Sequence, residues 1–486
     1  MHMFCLLVGR TKLTNTKTTD LCLHKERVID CDQGEEQKKM ASEMKVEVIY
    51  KETIKPSSST PPHLKTAQLS VFDQLAPDVF IPILLFYPNN ISSGDVDSID
   101  HPSLVVERSK LLKTSLSEAL THFYPFAGEF QYNFSISCND HGSAFIEAQV
   151  NCPILKILER PDAEILRQLL PTGIGSTQAE TGYLLLIQAN FFECGGLAIG
   201  VSSSHIITDA YTLSTFIQSW AAIALASNSV TTDHVLLTPK LGVAVSLFPQ
   251  LDFLNSPQPA LKFDEEKCIT KRFVFEASKV AALKSKAVST SVPNPTRVES
   301  VSSLIWKCAT TVSRSNLGVV RPSEWSPVAN IRKILVQQPL AENLMGNLVG
   351  MFSVKTEAIE VVDIDIPSLV AKLRKGVEEF KVKYGNGVSG EEACGFFTEF
   401  GNLMKRDVDN YNCSSWCRFP FYEANFGWGK PLWVCQSTGM KNLIVFMDTR
   451  DGKGIEASLT FSEEDMAKFE CNKELLAYAS VNPTVM

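Results

Sequence analysis

The residues in this chain best suited to moving a proton are His205 and Asp209, set four apart in Ser204-His205-Ile-Ile-Thr-Asp209. Imidazole titrates near neutral pH and can both take a proton and return it, which is what a general base needs when the attacking group is a weak acid. Asp209, one helical turn further on, looks like the helper that would orient the ring. A second dense cluster lies near the C-terminus, Ser414-Ser-Trp416-Cys-Arg-Phe-Pro420 followed by Asn425-Phe426-Gly427-Trp428-Gly429. Two glycines flanking a tryptophan make a sharply bent loop whose ring is held by its neighbours, so this stretch reads first as a structural corner.

The elements around the histidine set its position. Leu197, Ile199 and Val201 alternate with Ala198, Gly200 and Ser202, the period of a half-buried strand. From Thr212 onward Leu213, Phe216, Ile217 and Trp220 recur at helical spacing, which predicts a helix capped by Thr212. His205 and Asp209 therefore fall in a strand-to-helix loop. A lone histidine in a long chain is more often a surface or core residue than a catalyst, so the rest of the sequence must carry the case.

Other chemistries are poorly served. Gly385-Asn-Gly387-Val-Ser-Gly390 has the letters of a dinucleotide-binding loop, but it follows a helix instead of a strand. There is no P-loop, and no Gly-x-Ser-x-Gly elbow for an esterase-type serine. Thirteen cysteines are scattered without paired spacing, and Cys413-x-x-x-Cys417 has no second Cys or His pair near it. They read as reduced thiols, with no disulfide framework and no metal site expected. At 486 residues, 44% hydrophobic and 21% charged, the composition is that of a globular protein, and a formal charge of −8 offers no basic field for nucleic acid or an anionic membrane. No run approaches the ~18 apolar residues of a membrane span, so the cytosol is the expected compartment and a monomer the expected state.

Along the chain, residues 1–43 lack amphipathic period and read as a disordered or non-native extension ahead of the strand Val46–Tyr50. Strands are predicted at Ile81–Tyr87, Phe145–Val150 and Tyr183–Asn190, and a helix through Leu111, Leu116 and Leu120 ends at Tyr124-Pro125. Residues 226–266 lose periodicity and suit a crossover between an N-terminal domain, 44–225, and a C-terminal domain, 267–486. In the latter, Lys271–Phe275 is strand-like, Ser278–Lys286 and Val298–Val312 are helical, and Leu369, Val370, Leu373, Val377 and Phe380 form a helical stripe. Asn442–Asp448 and Gly454–Thr460 close the chain as strands. The class is mixed α/β.

Taken together, His205-x-x-x-Asp209 and Asn425-Phe-Gly-Trp-Gly429 resemble the paired signatures of the plant BAHD acyltransferases, which use acyl-CoA donors. Lesser stretches agree in order: Leu120-Thr-His-Phe-Tyr-Pro-Phe-Ala-Gly128, Phe192-Glu-Cys-Gly-Gly196, Pro295-Thr-Arg-Val-Glu299 with Leu304-Ile-Trp-Lys307, and Met345-Gly-Asn347. The resemblance runs from about Val46 to the C-terminus. Glu52-Thr-Ile-Lys-Pro-Ser-Ser58 and Phe86-Tyr-Pro88 are most similar to the branch of alkaloid and terpenoid acetyltransferases that contains vinorine synthase.

The resemblance implies two chloramphenicol-acetyltransferase-like domains with a channel between them, acyl-CoA as co-substrate with no bound cofactor, and a small-molecule alcohol as acceptor, acetyl being the favoured acyl group. His205 is then the base. Asp209 turns away from it and pairs with the arginine of the Pro-Thr-Arg stretch, Arg297, to hold the loop. Ser414 and Trp416 match positions near the reacting centre and become candidates for acceptor or oxyanion contacts. Asn425, Phe426, Gly427, Trp428 and Gly429 become a scaffold for the CoA channel, and Ser302, Ser303, Asn330 and Arg332 fall in stretches that line the donor side. Three positions depart from the family pattern: Asn425 replaces the usual aspartate, Ala210 a common glycine, and Glu129 a common arginine. Two other readings stay open: a non-catalytic relative that binds metabolites or proteins in the same cleft, and an N-acyltransferase.

Overall fold

The computed structural model describes residues 44–89, 101–132, 134–173, 175–227, 239–240, 242–254, 267–335, 340–358, 364–395, 408–437 and 439–485. Val46–Met486 pack as one unit built on two large sheets. The first has six strands: β1 (Val46–Ile54), β3 (Phe80–Tyr87), β6 (Ser143–Val150), β7 (Leu185–Phe192), β8 (Leu197–Ser204) and β14 (Trp433–Cys435). Their order is β1-β6-β7-β8-β3-β14, with only β6 and β7 parallel. A small sheet of β2 (Thr66–Gln68), β4 (Glu129–Gln131) and β5 (Ser135–Ser137) stands apart.

The second large sheet has eight strands: β9 (Cys268–Phe275), β10 (Ser323–Asn330), β11 (Val349–Met351), β12 (Val354–Thr356), β13 (Asp409–Ser415), β15 (Leu443–Asp448), β16 (Ile455–Ser462) and β17 (Ser480–Val481). Its order is β11-β10-β13-β15-β16-β9-β17, with β12 also pairing β10. The strands between residues 46 and 204 thus make up the first and the small sheet, and those between 268 and 481 the second, with one exception. β14 leaves the C-terminal half and adds to β3 of the first sheet. Its pairing ends at Leu84, and Pro82, which has no N–H to give, lies just beyond that end, where its strand needs no donor on that side. The extension 1–43 and most of the 226–266 crossover lie outside the described residues.

The strand that leads to His205 is more deeply buried than its alternation predicts. All eight residues of β8 are buried, on both faces. Leu197, Ile199 and Val201 enter a core with Leu112, Leu116, Phe216 and Trp220, from the helices His101–His122 and Ala210–Ser227. The opposite face is small and polar because the chain at 168–170 lies against it. A Cβ on Gly200 would sit 2.4 Å from the Leu169 carbonyl oxygen. Asn190 Nδ2 donates to that same oxygen at 2.9 Å, and Gln188 Nε2 to Gln168 O at 3.1 Å. Glycine and amides on this face are therefore the terms on which a second layer of backbone can be covered.

Candidate active site

β8 runs out at Ser204, and the His205 amide continues the ladder for one more residue by donating to Val79 O at 2.8 Å. The turn that follows is closed by Ser203 Oγ and Thr208 Oγ1, 2.9 Å apart, and is plugged into the core by buried Ile206 and Ile207. The helix then starts at Ala210, so a helical backbone suffices there without glycine. Its cap is Asp209 and not Thr212: Asp209 Oδ1 accepts from the Thr212 amide at 2.8 Å, the N3 donor, and Asp209 O accepts from the Leu213 amide. The apolar spacing favours Thr212 because it begins at Leu213, three residues after the helical backbone does at Ala210; the Thr212 hydroxyl instead donates to Gly346 O at 3.1 Å.

Asp209 does turn away from the imidazole, but its partner is Arg332. Arg332 NH1 meets Asp209 Oδ2 at 2.6 Å and NH2 meets Oδ1 at 3.1 Å, a two-pronged pair whose side chains are 1% and 3% exposed. Asp209 Oδ2 also accepts from the Leu348 amide at 3.1 Å. Burial alone would push this carboxyl up; the Arg332 charge and these donors outweigh it and hold Asp209 below the usual carboxylate range. The remaining guanidinium donors go to Leu344 O, Asn330 Oδ1, Thr212 Oγ1 and Gly346 O, and the group lies 4.7 Å from the Tyr211 ring centre.

Arg297, the expected partner, is elsewhere. It is the first residue of the helix Arg297–Leu317, just after the Thr296 cap, and it reaches Asp448 Oδ1 at 2.8 Å and the carbonyls of Gly452 and Gly454. Its work is to fasten that helix to the β15–β16 turn. The same network removes Arg332 from the CoA candidates, because a buried guanidinium with every donor engaged has nothing left for a phosphate or an amide.

His205 itself is partly buried, with its ring joined to Asn347, a residue 142 positions away. His205 Nδ1 lies 3.1 Å from Asn347 Oδ1, and Asn347 Nδ2 donates to His205 O at 2.6 Å. Asn347 is fixed in turn by Asp73, whose Oδ1 accepts from the Asn347 amide at 2.8 Å and from Nδ2 at 2.9 Å. Burial pushes the imidazole below its ordinary 6.5, against the opposing pull of a hydrogen bond to its own backbone, the Asp209 charge and Asn347. At neutral pH the ring is therefore neutral, the form in which it can accept a proton.

A neutral imidazole at a strand end, with the neighbouring carboxylate committed to an arginine, is an arrangement that can deprotonate a hydroxyl without a Ser-His-Asp triad. The sequence matches the Transferase family over residues 44–476. It is 39% identical to akuammiline synthase 1 of Alstonia scholaris over 443 residues, covering 89% of this chain and 97% of that one. It is 35% identical to limonoid 1-O-acetyltransferase of Citrus sinensis (91% and 100% covered), and 34% identical to 17,18-epoxy-17-hydroxycur-19-ene N-malonyltransferase of Strychnos nux-vomica (91% and 92%). Its fold superposes on the crystal structure of vinorine synthase with a TM-score of 0.76 at 34% identity, covering 90% of this chain and 99% of that one. The chain belongs to the BAHD acyltransferases. It is an acyl-CoA-dependent acyltransferase of the two-domain fold, on the branch of vinorine and akuammiline synthases.

The remaining candidates of this BAHD chain are sorted by their surroundings. Trp416 Nε1 already donates to Ser414 Oγ at 3.0 Å, so the indole holds the serine and leaves the hydroxyl hydrogen as the free donor of the two. Ser302 and Ser303 are buried in the helix Arg297–Leu317, where Ser303 Oγ donates to Glu299 O at 2.7 Å; Asn330 Oδ1 is occupied by the Arg332 amide. Ser302 and Ser303, buried in the interior, have no group to offer CoA, whereas Asn330 is only partly buried. Asn425 Oδ1 accepts from the Gly427 and Gly429 amides, each at 3.0 Å, and both glycines have positive φ, 113° and 101°. The loop drives Phe426 into the first core, 4.8 Å from the Trp220 ring centre, and Tyr87 OH donates to Ala424 O. It is a corner that delivers the chain to β14.

Two features were not legible as site residues. Asn347 lies in a stretch with no period of its own, and Asp73 inside the five-residue helix Val71–Leu75, where a polar residue carries no periodic signal. A small cavity of about 50 Å³ also lies beside β14, lined among others by Gln436, Ser437, Val445 and Met447. Gln436 Oε1 and Nε2, Ser437 Oγ and, on β8, Ser202 Oγ and Ser204 Oγ are buried without a hydrogen-bond partner among the described residues.

Proposed function

We propose that this BAHD enzyme transfers an acyl group, acetyl being favoured, from acyl-CoA to a hydroxyl of a plant specialised metabolite of the alkaloid or terpenoid class, with His205 as general base. An alcohol is too weak an acid to attack a thioester quickly, so its proton must be removed as the C–O bond forms. His205 takes that proton. The oxygen's electron pair attacks the thioester carbonyl, and the tetrahedral intermediate collapses with loss of the CoA thiolate, to which the imidazolium returns the proton. The thioester is already activated, so no covalent acyl-enzyme is needed. The observation that carries the reading is the commitment of Asp209 to Arg332, which leaves His205, held neutral by burial, to act without that carboxylate as its hydrogen-bond partner.

The donor's side is supported by the buried, unpartnered groups of Ser202, Ser204, Gln436 and Ser437, which can serve an amide-bearing chain such as pantetheine. Ser414 Oγ is the candidate donor to the oxyanion. That the relatives include a 1-O-acetyltransferase and an N-malonyltransferase keeps an amine acceptor and a longer acyl group as the second reading. A screen that crosses acetyl-CoA and malonyl-CoA with alkaloid and terpenoid alcohols and amines, read by thiol release, tests both. Release with acetyl-CoA and alcohols supports the first; release confined to amines selects the second; stoichiometric binding with no release from any pair overturns both.

A further inference from the structure

The cavity beside β14 lies on the row of residues that holds Ser414. Ser414 pairs with Val445, Val445 with Ser458 and Ser458 with Arg272, so Arg272 is three strand spacings, about 14 Å, from Ser414 on one face of the second sheet. Val445, Ser458 and Arg272 line the cavity together with Gln436, Asn482 and Pro161. Its volume of about 50 Å³ is far below the roughly 300–1,000 Å³ of a ligand pocket. A chain such as pantetheine enters only if part of the wall moves.

The C-terminal segment of that wall is fastened unevenly. Ser480 and Val481 pair with β9, and Asn482 closes a two-way pair with Arg272: its amide donates to Arg272 O and its Oδ1 accepts from the Arg272 amide, each at 2.8 Å. Asn482 then takes a positive φ of 41°, which asparagine tolerates better than most residues, and the chain leaves β9. Beyond it Thr484 Oγ1 donates to Glu159 O at 3.0 Å and the Val485 amide to Leu158 O at 2.8 Å. Those carbonyls end the helix Ile154–Glu159, where no intrahelical donor is left for them, just ahead of Pro161 in the cavity wall.

We propose that Asn482–Val485 is a strap over this cavity, hinged at Asn482, whose outer end lets go of Leu158 and Glu159 to admit and discharge the pantetheine arm of the acyl donor; this rests on the reading of the cavity as part of the donor's path. The inner end is held by a strand ladder and a two-way pair. The outer end rests on two hydrogen bonds, each of small net worth once water can replace it, and Thr484 is exposed. Arg272 joins strap to cavity. Its NH2 donates to Pro483 O, its NH1 reaches Glu456 Oε2 at 3.2 Å, and the guanidinium lies 5.0 Å from the Trp433 ring centre. Its Nε is buried with no partner among the described residues, so the side chain that holds the strap keeps a donor for what fills the cavity. A pantetheine carbonyl that takes this donor fixes Arg272 and, through Pro483, the strap. Filling the cavity and closing the strap therefore favour each other.

Cys435 reports on the cavity, which it lines while only 8% exposed. Burial holds its thiol well above the ordinary range, so alkylation waits for exposure. In the full chain, labelling by N-ethylmaleimide is read by peptide mass spectrometry, with Cys413, buried in the second core, as the control for general loosening. Thr484→Val combined with Val485→Pro removes both outer bonds. It should speed Cys435 labelling and the release of bound CoA by about 10-fold, with Cys413 still unlabelled. Thr484→Val alone should give about threefold in both, and decides the matter if the double variant does not fold. A folded variant in which either rate is unchanged overturns the proposal. So does labelling of Cys413 in step with Cys435, which would make the segment a fastener of the whole fold. Bound CoA should also protect Cys435 in the wild type; faster labelling in the variants without that protection would overturn the donor reading of the cavity and leave the hinge standing.

Discussion

The two loops that mark this chain as a BAHD enzyme differ in how they are held. His205–Asp209 depends on residues far away in sequence: Arg332 is 123 positions from Asp209, and Asn347 is 142 from His205. Asn425–Gly429 closes on itself, one amide oxygen capping the N–H groups two and four residues ahead. The first uses a buried charge pair, whose formation requires both halves of the chain to be in register. The second uses a neutral cap and an aromatic plug, and forms wherever Phe426 finds the core. A loop that must place a proton-transfer atom is tied from several directions; a loop that must turn a corner needs only local bonds and burial.

The sharpest way to separate chemistry from scaffold is His205→Ala. Loss of a general base should lower turnover by about 10² to 10⁴-fold, while the Asp209–Arg332 lock remains and the thermal midpoint moves little; thiol-release kinetics beside a melting curve check both. In the wild type, kcat/KM should fall on the acid side with an apparent pKa below 6.5, because burial holds the imidazole below that value. The stability sign agrees. The unfolded chain takes up this proton at a higher pH than the folded one, so the folded state loses stability as pH falls from about 6.5 toward the lowered pKa. An acid limb above 6.5 would break the assignment.

Next in size is Arg332→Ala, which leaves Asp209 buried and uncompensated and should cost about 3–5 kcal/mol. Turnover would fall with the folded fraction. If denaturant midpoints showed Arg332→Ala no worse than an exposed substitution, the contrast between the two loops would collapse.

These contrasts also mark what the amino-acid pattern could and could not convey. Alternation in Leu197–Ser202 and the spacing Leu213, Phe216, Ile217, Trp220 place the histidine loop correctly, because burial of one face imposes a period on one segment. Ion-pair partners impose none. Arg297 and Arg332 both sit near a turn into a helix, and only the fold shows that the first faces the β15–β16 turn and the second Asp209. β10 and β13 went unread because Ser323–Asn330 and Asp409–Ser415 are polar strands whose faces are covered by other elements, and β14 because three residues carry no period. The polar face of β8 reads as a solvent face for the same reason: its cover, residues 168–170, is distant backbone, which leaves a mark only in Gly200.

Arg297→Ala tests whether the correction of partners matters energetically. Its pair with Asp448 is partly exposed, at 21% and 16%, and its worth should be on the order of 1 kcal/mol, several-fold below that of Arg332. Chemical denaturation of the two alanine variants side by side gives the ratio. Equal losses would mean that Arg297 does more than fasten a helix start.

The smallest expected effect concerns the corner. Asn425→Asp restores the carboxylate common in the family, yet the atom that works here is an oxygen accepting from two N–H groups, and a carboxylate offers the same oxygen. The change should therefore shift stability by no more than about 0.5 kcal/mol and leave turnover unaltered. Asn425→Ala removes that acceptor from a loop whose glycines hold φ near 113° and 101°, and should cost about 1–2 kcal/mol, the usual loss when a capping side chain is deleted. Melting curves of the two variants distinguish a cap from a charge. A marked gain from aspartate would show that a cation near the corner wants a partner, and the neutral, self-contained character assigned to this loop would then be wrong.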